Sequence, residues 1–575
     1  MIRSILMAAL CTLGMAVQAA PADYVLRNAK VYTVNEHQPW AQALAVRGKD
    51  IVYVGKDEDA ALKEHIGAET RVVDLQGKMV VPGFIDSHTH PLLSSFMTAG
   101  ADLQHETREE MLSALQQYAR EHPTGLVSGF GWRTDMFGPE GPNRRELDRI
   151  FPDRPAYMLN IDYHSMWFNS RALELAGVTR NTQDPAPGFA FWQRDKDGEL
   201  TGYAVEPATY MDALNKLVPL TPKTFGAYAG RWMPKAAAAG LTGGFDAGVP
   251  PVADQGDLLS AYLELEQRGE LLLRLGVSYA TRGPQDPPPL PGLKAVQKRI
   301  HSERVHVAAL KIMGDGTEGG WTAAMLEPYA DKPETRGTTT FSSAQFHQLI
   351  AEADKAGVNV HVHCDGDACT RTVLDTVEAA IAANPPRDRR HTICHLVSIA
   401  PADVPRFGKL GVIAQVGVNW ATADPDSLGV LRPRLGPQRF ENNVYPARAL
   451  VESGARVTLG TDWAAAGYFS TYKPLDVIQI GMTRQLIGKP DAPILPRKDQ
   501  RMTLAQMLKG YTIDPAFQIG LEKQVGSLEV GKRADLVVLG RNLFDVAPHD
   551  IHKVAVVATM MNGRLTHGSL PAAAR

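Results

Sequence analysis

Short apolar runs alternate with stretches of helical periodicity through the middle of the chain, and this alternation constrains the fold more than any other feature. Each run is a candidate buried strand, and strands that alternate with helices are typical of βα units around a parallel sheet. Eight candidate strands lie near residues 80–87, 241–246, 272–278, 306–313, 358–364, 391–396, 411–416 and 456–461. They predict an α/β fold of the TIM (β/α)8 barrel type, whose active site lies at the carboxyl ends of the strands.

The two ends of the chain differ in texture from the middle. Residues 24–81 contain short β-rich runs separated by polar turns, and similar runs recur at 535–539 and 554–560. Such runs are typical of strands. We therefore predict a small β-sandwich domain built from residues 20–79 and 510–575, with the barrel occupying residues 80–509. The stretch 100–235 is too long for one βα connection, which predicts an inserted α/β lobe over the barrel mouth.

Residues 1–19 have the features of a signal peptide. Arg3 supplies a positive charge, residues 4–17 form an apolar stretch too short to span a bilayer, and Ala19 is a small residue suited to signal peptidase. The alternative is a buried N-terminal helix. Nothing later in the chain is apolar over enough residues to span a membrane. The mature protein is therefore expected to be periplasmic or secreted.

Composition narrows the class of partner. The 60 Lys and Arg residues against 63 Asp and Glu give a formal net charge of −3, which argues against nucleic acid and against a membrane surface. A small-molecule substrate fits this charge balance better. The sequence leaves open whether the chain forms a homo-oligomer. After cleavage only Cys364, Cys369 and Cys394 remain, and three cysteines cannot form a fully paired framework. We interpret them as buried or near-site thiols; a single disulfide is left open but is not predicted.

Residues able to bind a metal stand where several candidate strands end. Because residues two apart in a strand share a face, His88 and His90 project together from the first strand. The other strand-end candidates are Lys311, His361, His363, His395 and Asp462. A lone strand-end histidine is usually structural and a lone aspartate is often a helix cap, so the prediction of a site rests on the group. A lysine within a buried strand is costly unless it is paired, modified or able to reach solvent.

The motifs around these residues resemble the amidohydrolase superfamily, in particular its branch of N-substituted formamide deformylases and exoenzyme-regulatory-protein-like metal-dependent hydrolases. They are PGFIDSHTH at 82–90, LKIMGDG at 310–316, HCDGD at 363–367, RHTICH at 390–395, GTD at 460–462 and GSLEVGKRADLVVL at 526–539. The resemblance runs from about residue 24 to the C-terminus. The first motif together with the last is highly specific.

The resemblance implies a centre with one or two divalent metal ions, for which zinc is favoured by the imidazole ligands. His88 and His90 match the ligands of a first metal, and His363 and His395 match those of a second. His361 lies outside the family pattern and is expected to support a ligand or to be structural.

Two further residues complete the implied centre. Lys311 matches a lysine that is typically carbamylated and bridges the two metals. The alternative is an unmodified lysine paired with a carboxylate such as Asp315. Asp462 matches the residue that touches the first metal and acts as the catalytic proton shuttle.

The predicted lobe also resembles this branch. Trp132, His164 and Glu206 match recurrent features and are expected to bind the substrate; the alternative is that they fix the fold of the lobe. The chain departs from the branch at Cys364 and Asp365, which replace an alanine and an apolar residue. The departures leave the metal ligands in place.

The activity that the resemblance implies is hydrolysis of an amide-type C–N bond, in an N-formyl or N-acyl amine or a related small molecule, by water that the metal activates. Within enzymes, the alternative is hydrolysis of an ester, a lactone or another C–N bond. A different class is a non-catalytic regulatory protein on the same scaffold. Loss of a strand-end ligand would favour that class, but all the expected ligand types are present.

Overall fold

The computed structural model describes residues 20–138, 140–185, 187, 190–249, 254–495 and 497–571. The predicted signal peptide at 1–19 lies outside these residues. Within these ranges, no helix is both long enough and apolar enough to cross a bilayer.

Eight parallel strands form the central barrel, and their spatial order follows the chain order. They are β1 (Phe84–Thr89), β2 (Leu241–Asp246), β3 (Arg274–Thr281), β4 (Val305–Met313), β5 (Asn359–Cys364), β6 (Thr392–His395), β7 (Ile413–Val416) and β8 (Val457–Leu459). The strands are buried almost throughout, as expected for a parallel sheet covered on its outer face by helices. The prediction of a TIM barrel is confirmed.

Hydrogen bonds between the segments at the ends of β1 and β8 close the barrel. The backbone N–H of Asp462 donates to the carbonyl oxygen of His88 at 2.7 Å. The backbone N–H of Thr461 donates to Oδ1 of Asp86 at 3.1 Å, and its hydroxyl donates to Oδ2 at 2.6 Å. The first and last candidate metal ligands therefore face each other across the closure.

Helices follow the barrel strands and pack around the sheet. They are Pro91–Met97, Pro222–Ala238, Gln255–Gln267, Pro289–Arg299, Ser343–Lys355, Asp367–Ala383, Val404–Leu410, Arg432–Asn443, Ala447–Glu452, Pro474–Thr483, Leu504–Gly510 and Ile513–Gln518. The local sequence determines where several of these helices begin. Ser342 and Gln345 form a capping box at the start of Ser343–Lys355, which satisfies backbone N–H groups that the helix leaves free.

Two sheets from both chain ends pack face to face as a β-sandwich. One sheet has the order Asp50–Gly55, Ala43–Arg47, Tyr24–Arg27, Arg71–Asp74. The other has the order Arg564–Gly568, Val556–Met561, Leu536–Leu539, Met79–Pro82, Lys30–Tyr32, Trp40–Ala41. Leu44, Val46, Val80 and Val538 are among the residues of their shared buried core. The small β-sandwich in the predicted fold is present.

The first candidate strand, predicted as one run near 80–87, is two strands. Met79–Pro82 belongs to the sandwich and Phe84–Thr89 to the barrel, with Gly83 between them. A side chain at Gly83 would overlap Thr242, so the chain can pass between the two sheets there only without one. The glycine within the PGF motif thus marks a change of sheet.

An inserted α/β lobe is built on a third sheet between β1 and β2. Its strands have the order Phe191–Arg194, Leu200–Val205, Ser165–Phe168, Ala156–Asn160, Val127–Trp132, Ala101–Asp102. The helices of the lobe are Arg108–Glu121, Arg144–Ile150, Ser170–Leu175 and Pro207–Leu217. Tyr163 joins the lobe to the barrel, since its hydroxyl donates to Oγ of Ser94 at 3.4 Å.

Candidate metal centre

His88 and His90 converge on one carboxylate oxygen. Nε2 of His90 lies 3.1 Å from Oδ1 of Asp462, and Nε2 of the fully buried His88 lies 3.5 Å from the same atom. The Nδ1–H of His90 donates to the carbonyl oxygen of Gly248 at 2.8 Å, which fixes the ring with Nε2 towards Asp462. Three potential ligand atoms thus meet at the barrel mouth.

This geometry fits a metal ion. Ligand atoms on a tetrahedral zinc ion lie about 3.4 Å apart, given zinc–ligand distances of about 2.0–2.2 Å. The separations from Asp462 to His88 and His90 bracket that value. Nε2 of His88 is buried and has no hydrogen-bond partner. A buried imidazole nitrogen without a hydrogen-bond partner fits the role of a metal ligand.

His363 and His395 form a second pair beside the first. Their ring centroids lie 4.4 Å apart, and His395 stacks on Trp420. Nδ1 of His395 lies 3.6 Å from Oδ2 of Asp462, so the two carboxylate oxygens of Asp462 face different histidine pairs. Nε2 of His363 lies 3.3 Å from the carbonyl oxygen of Gly316.

Lys311 is buried among these histidines. Its amine donates to Sγ of Cys394 at 3.3 Å, and burial raises the pKa of that thiol to about 12. Burial and the charge of Lys311 together lower the pKa of His363 to about 3 and hold that of His88 well below its usual value. The neutral imidazoles that result are the form that binds metal.

The alternative pairing of Lys311 with Asp315 is not seen. Within the described part of the chain, no carboxylate oxygen lies within 4.0 Å of the Lys311 amine in an ion pair. Asp315 instead accepts backbone N–H groups from Ala324, Asp365 and Gly366 at 2.9–3.1 Å. Asp315 therefore organises the loops beyond β4 and β5.

His361 supports the first pair, although it lies outside the family pattern. Its Nε2 lies 2.9 Å from Nδ1 of His88, and its ring stacks on Phe245 with centroids 4.5 Å apart. The sequence indicates its position, because His361 and His363 are two apart in β5 and share a face. It could not indicate which histidine His361 would contact.

Backbone conformation also marks the strand ends. His395 has φ of 72° and Asp462 has φ of 51°, in the left-handed region that non-glycine residues rarely adopt. Such conformations cluster at functional sites, where the surrounding structure holds them in place. Asp86 provides part of that support at Asp462, and burial raises the pKa of Asp86 to about 7.

Acidic residues lie beyond the second histidine pair. Asp365 and Glu318 are buried, and each has a carboxylate oxygen with no hydrogen-bond partner. Burial, followed by neighbouring carboxylates, raises the pKa of Glu318 to about 8 and that of Asp365 well above its usual value. This concentration of acid was not predicted as part of the site. Its only sign in the sequence is the acidic residue at 365.

A single disulfide, which the sequence left open but which was not predicted, forms in this structure. Cys364 and Cys369 are bonded to each other, and Cys394 is a buried free thiol. The bond joins the last residue of β5 to the first turn of Asp367–Ala383. The odd number of cysteines hid it, because counting argues against a fully paired framework but says nothing about one pair.

The three lobe residues take different positions. Nδ1 of His164 lies 3.0 Å from Oε2 of Glu206, and the hydrogen bond to Glu206 raises the pKa of His164 to about 8. Trp132 is fully buried and its indole N–H donates to the carbonyl oxygen of Met158 at 2.8 Å. Trp132 therefore packs inside the lobe in this structure, which differs from the substrate contact that the resemblance implies.

Comparisons with known proteins agree on one family. The profile of the amidohydrolase family matches residues 71–567. Protein LONG AFTER FAR-RED 3 of Arabidopsis thaliana is 30% identical over 94% of this chain and 91% of its own. The N-substituted formamide deformylase of Arthrobacter pascens is 27% identical over 95% of this chain and 98% of its own.

Other matches concern regulation and fold. The exoenzymes regulatory protein AepA of Pectobacterium carotovorum subsp. carotovorum is 32% identical over 71% of this chain and 88% of its own. The crystal structure of an uncharacterized metal-dependent hydrolase from Pyrococcus horikoshii superposes with a TM-score of 0.72. It covers 91% of this chain and 99% of its own at 23% identity, and supports the fold alone.

Proposed function

The chain belongs to the amidohydrolase family, and we propose that it is a metal-dependent hydrolase that cleaves an amide-type C–N bond in a small N-formyl or N-acyl amine. One observation carries the proposal. The Nε2 atoms of His88 and His90 converge on Asp462 at ligand spacing, and that of His88 has no other partner. A buried polar group of this kind needs a partner, and a bound metal ion would supply one.

The proposed ligands are His88, His90 and Asp462 for one ion and His363 and His395 for a second. A divalent metal supplies water of lowered pKa and polarises a carbonyl group, and zinc suits these ligands. We propose that Lys311 is carbamylated and bridges the two positions. The carbamate would bring negative charge and two oxygens to a place where a cationic amine is unfavourable.

Asp462 is the proposed proton shuttle. Its side chain is 14% exposed, so the carboxylate can reach both the buried ligands and a bound substrate. It would accept the proton of the attacking water and pass it to the leaving nitrogen. The imidazoles are poor candidates for this role, because burial opposes protonation of His88 and His363.

The lobe supplies the proposed substrate-facing groups. His164 and Glu206 form a pair in which the imidazole is half exposed, and Glu206 has φ of 69°, an uncommon conformation for this residue type. We propose that this pair contacts the substrate and that the lobe limits access of bulk water.

The proposal is tested with mature protein, residues 20–575, of measured metal content. The substrate panel contains N-formyl amines, N-acyl amino acids, dipeptides and lactones. We expect at least one equivalent of metal, turnover of an N-formyl or N-acyl amine, loss of turnover on prolonged chelation and recovery with Zn²⁺. The doubly substituted His88→Asn, His90→Asn protein controls for contaminating hydrolases.

Three outcomes would contradict the proposal in different ways. Full activity in metal-free protein would exclude the metal mechanism. Turnover of lactones alone would exclude the C–N bond. A metal-loaded protein that is inert towards the whole panel would favour the regulatory class.

A further inference from the structure

Asp365 follows β5 directly and lies against the second histidine pair. Its side chain is 8% exposed. Its Oδ1 lies 3.9 Å from Nε2 of His363. The nearest potential ligand atoms of His363, Asp365 and His395 all lie within 4.8 Å of one another. This grouping has the composition of a metal site, two imidazoles and a carboxylate.

Asp365 differs from Asp315, the other carboxylate near His363. Oδ1 of Asp315 lies 3.6 Å from Nε2 of His363, but its oxygens already accept three backbone N–H groups. Oδ1 of Asp365 is buried and accepts no hydrogen bond. A buried carboxylate oxygen without a partner is costly unless a cation or donor satisfies it. Asp365 therefore has the coordination capacity that Asp315 has already used.

The distances favour a ligand role. Two atoms on one tetrahedral ion lie about 3.4 Å apart, so a shift of about half an ångström would bring Oδ1 of Asp365 and Nε2 of His363 to that separation. The backbone at Asp365 is fixed, because its N–H donates to Asp315 and its carbonyl oxygen accepts from Ser398 at 3.0 Å. The movement needed is confined to side chains.

We propose that Asp365 is a protein ligand of the second metal ion, alongside His363 and His395. This inference rests on the proposed metal-dependent function. It goes beyond the ligands that the family resemblance implies, because the family pattern has an apolar residue at the position of Asp365. The extra anionic ligand would make the second position bind its ion more tightly and would lower the positive charge beside the substrate.

The test measures metal binding rather than turnover. Apoprotein is titrated with Zn²⁺ by calorimetry and with Co²⁺ by absorption, for wild type, Asp365→Asn, Asp365→Leu and Glu318→Gln. Glu318→Gln is the matched control, because Glu318 is also buried with a free oxygen but lies outside the ligand group. Thermal unfolding of each apoprotein establishes that it is folded.

We expect both Asp365 variants to bind one equivalent at least about 10-fold more weakly, since even outer-shell changes cost 10–100-fold in metal affinity. The Co²⁺ spectrum should change, and Glu318→Gln should match wild type. In the metal-free state, Asp365→Asn should be as stable as wild type or more stable, because it removes an unsatisfied buried acid. The rise in Tm on adding metal should be smaller in this variant.

Unchanged stoichiometry, affinity and Co²⁺ spectrum in both Asp365 variants would overturn the inference and leave the proposed function standing. An equal loss of affinity in Glu318→Gln would also overturn it, because the effect would then come from general negative charge. A wild-type protein that binds no metal would overturn both the inference and the proposed function.

Discussion

Asp462 is the residue on which the proposed chemistry most depends, because its two oxygens face the two histidine pairs. Asp462→Asn keeps the shape of the side chain but removes the proton-accepting charge. We expect kcat to fall roughly 100-fold or more, the scale of general acid–base contributions. The measurement is steady-state turnover at matched metal content, with Tm of the apoprotein as the check on folding.

Asp491→Asn serves as the matched control, since Asp491 is exposed. Near-normal turnover in Asp462→Asn would contradict the catalytic role and leave Asp462 with a structural role at the end of its strand.

Lys311 provides a second prediction at the scale of single residues. Lys311→Ala should lose metal and most activity, and a short carboxylic acid should restore a small part, because it can supply the missing anionic oxygens. Carbamylation can be measured directly from the carbon resonance of protein equilibrated with ¹³CO₂. Lys355 is exposed, and Lys355→Ala should change neither the metal content nor the activity. An unmodified Lys311 amine in a fully metallated protein would exclude the proposed bridging role of Lys311.

Single residues also show the limit of reasoning from sequence. The strand-end positions of His88 and Asp462 follow from periodicity, which places side chains on a strand face. The contact between His361 and His88, and the proximity of Asp365 to His363, depend on the distance between different strands. The pattern of residues along one strand carries no information about the distance between strands.

At the scale of elements, a buried ion-pair network fixes the approach to β6. Asp354, near the end of Ser343–Lys355, contacts Arg387, Arg389, Asn384 and His391 at 2.8–3.1 Å. Burial alone would raise the pKa of Asp354. Hydrogen bonds from His391, Arg389 and Asn384, together with the charge of Arg387, outweigh burial and hold the pKa well below its usual range. The network positions the strand that ends in His395.

The lowered pKa of Asp354 gives a prediction about pH and stability. A carboxyl group whose pKa is lower in the folded state contributes stability that is fully present above its unfolded pKa of about 3.9 and is lost gradually as the pH falls from there through the folded pKa. Asp354→Asn should therefore destabilise the protein by about 3 kcal/mol at pH 7, the cost of breaking a buried pair. The difference from wild type should shrink towards pH 3.

Urea unfolding at the two pH values measures this difference. Glu352→Gln on the exposed face of the same helix is the control. A difference that is constant with pH would show that the charge of Asp354 is not responsible.

Element boundaries were predicted less well than element types. The eight barrel strands follow from apolar runs of strand length bounded by polar or glycine residues. The division at Gly83 could not be predicted, because Met79–Pro82 and Phe84–Thr89 read as one β-rich run. What separates them is the approach of Thr242 from β2, a contact with a residue far away in sequence.

At the scale of the whole molecule, one buried ion pair joins the barrel to the sandwich. Nε of Arg274, at the start of β3, donates to Oδ2 of Asp535 at 2.6 Å, and both side chains are 2% exposed. Asp535 immediately precedes the sandwich strand Leu536–Leu539. The two units are therefore coupled, because separating them would leave two buried charges unpaired.

The cysteines give a prediction for the mature chain, which we propose is exported. Cys364 and Cys369 are bonded and Cys394 is free, and disulfides persist in oxidising compartments. Thiol titration of denatured, unreduced mature protein should find one thiol per chain, and titration after reduction should find three. Cys394→Ala should give none and then two. Three thiols before reduction would contradict the pairing.

The pairing of Met79–Pro82 with Leu536–Leu539 also determines how late in synthesis the site can form. During synthesis the first of these strands leaves the ribosome early, and its partner emerges only near the end of translation. Until then its edge stays open to incorrect pairing. Because Phe84–Thr89 continues from that strand, His88 and His90 reach their final positions only when almost the whole polypeptide has been made. A prematurely terminated chain would carry the histidines without the framework that gathers them, so we expect the proposed metal ion to be acquired after translation.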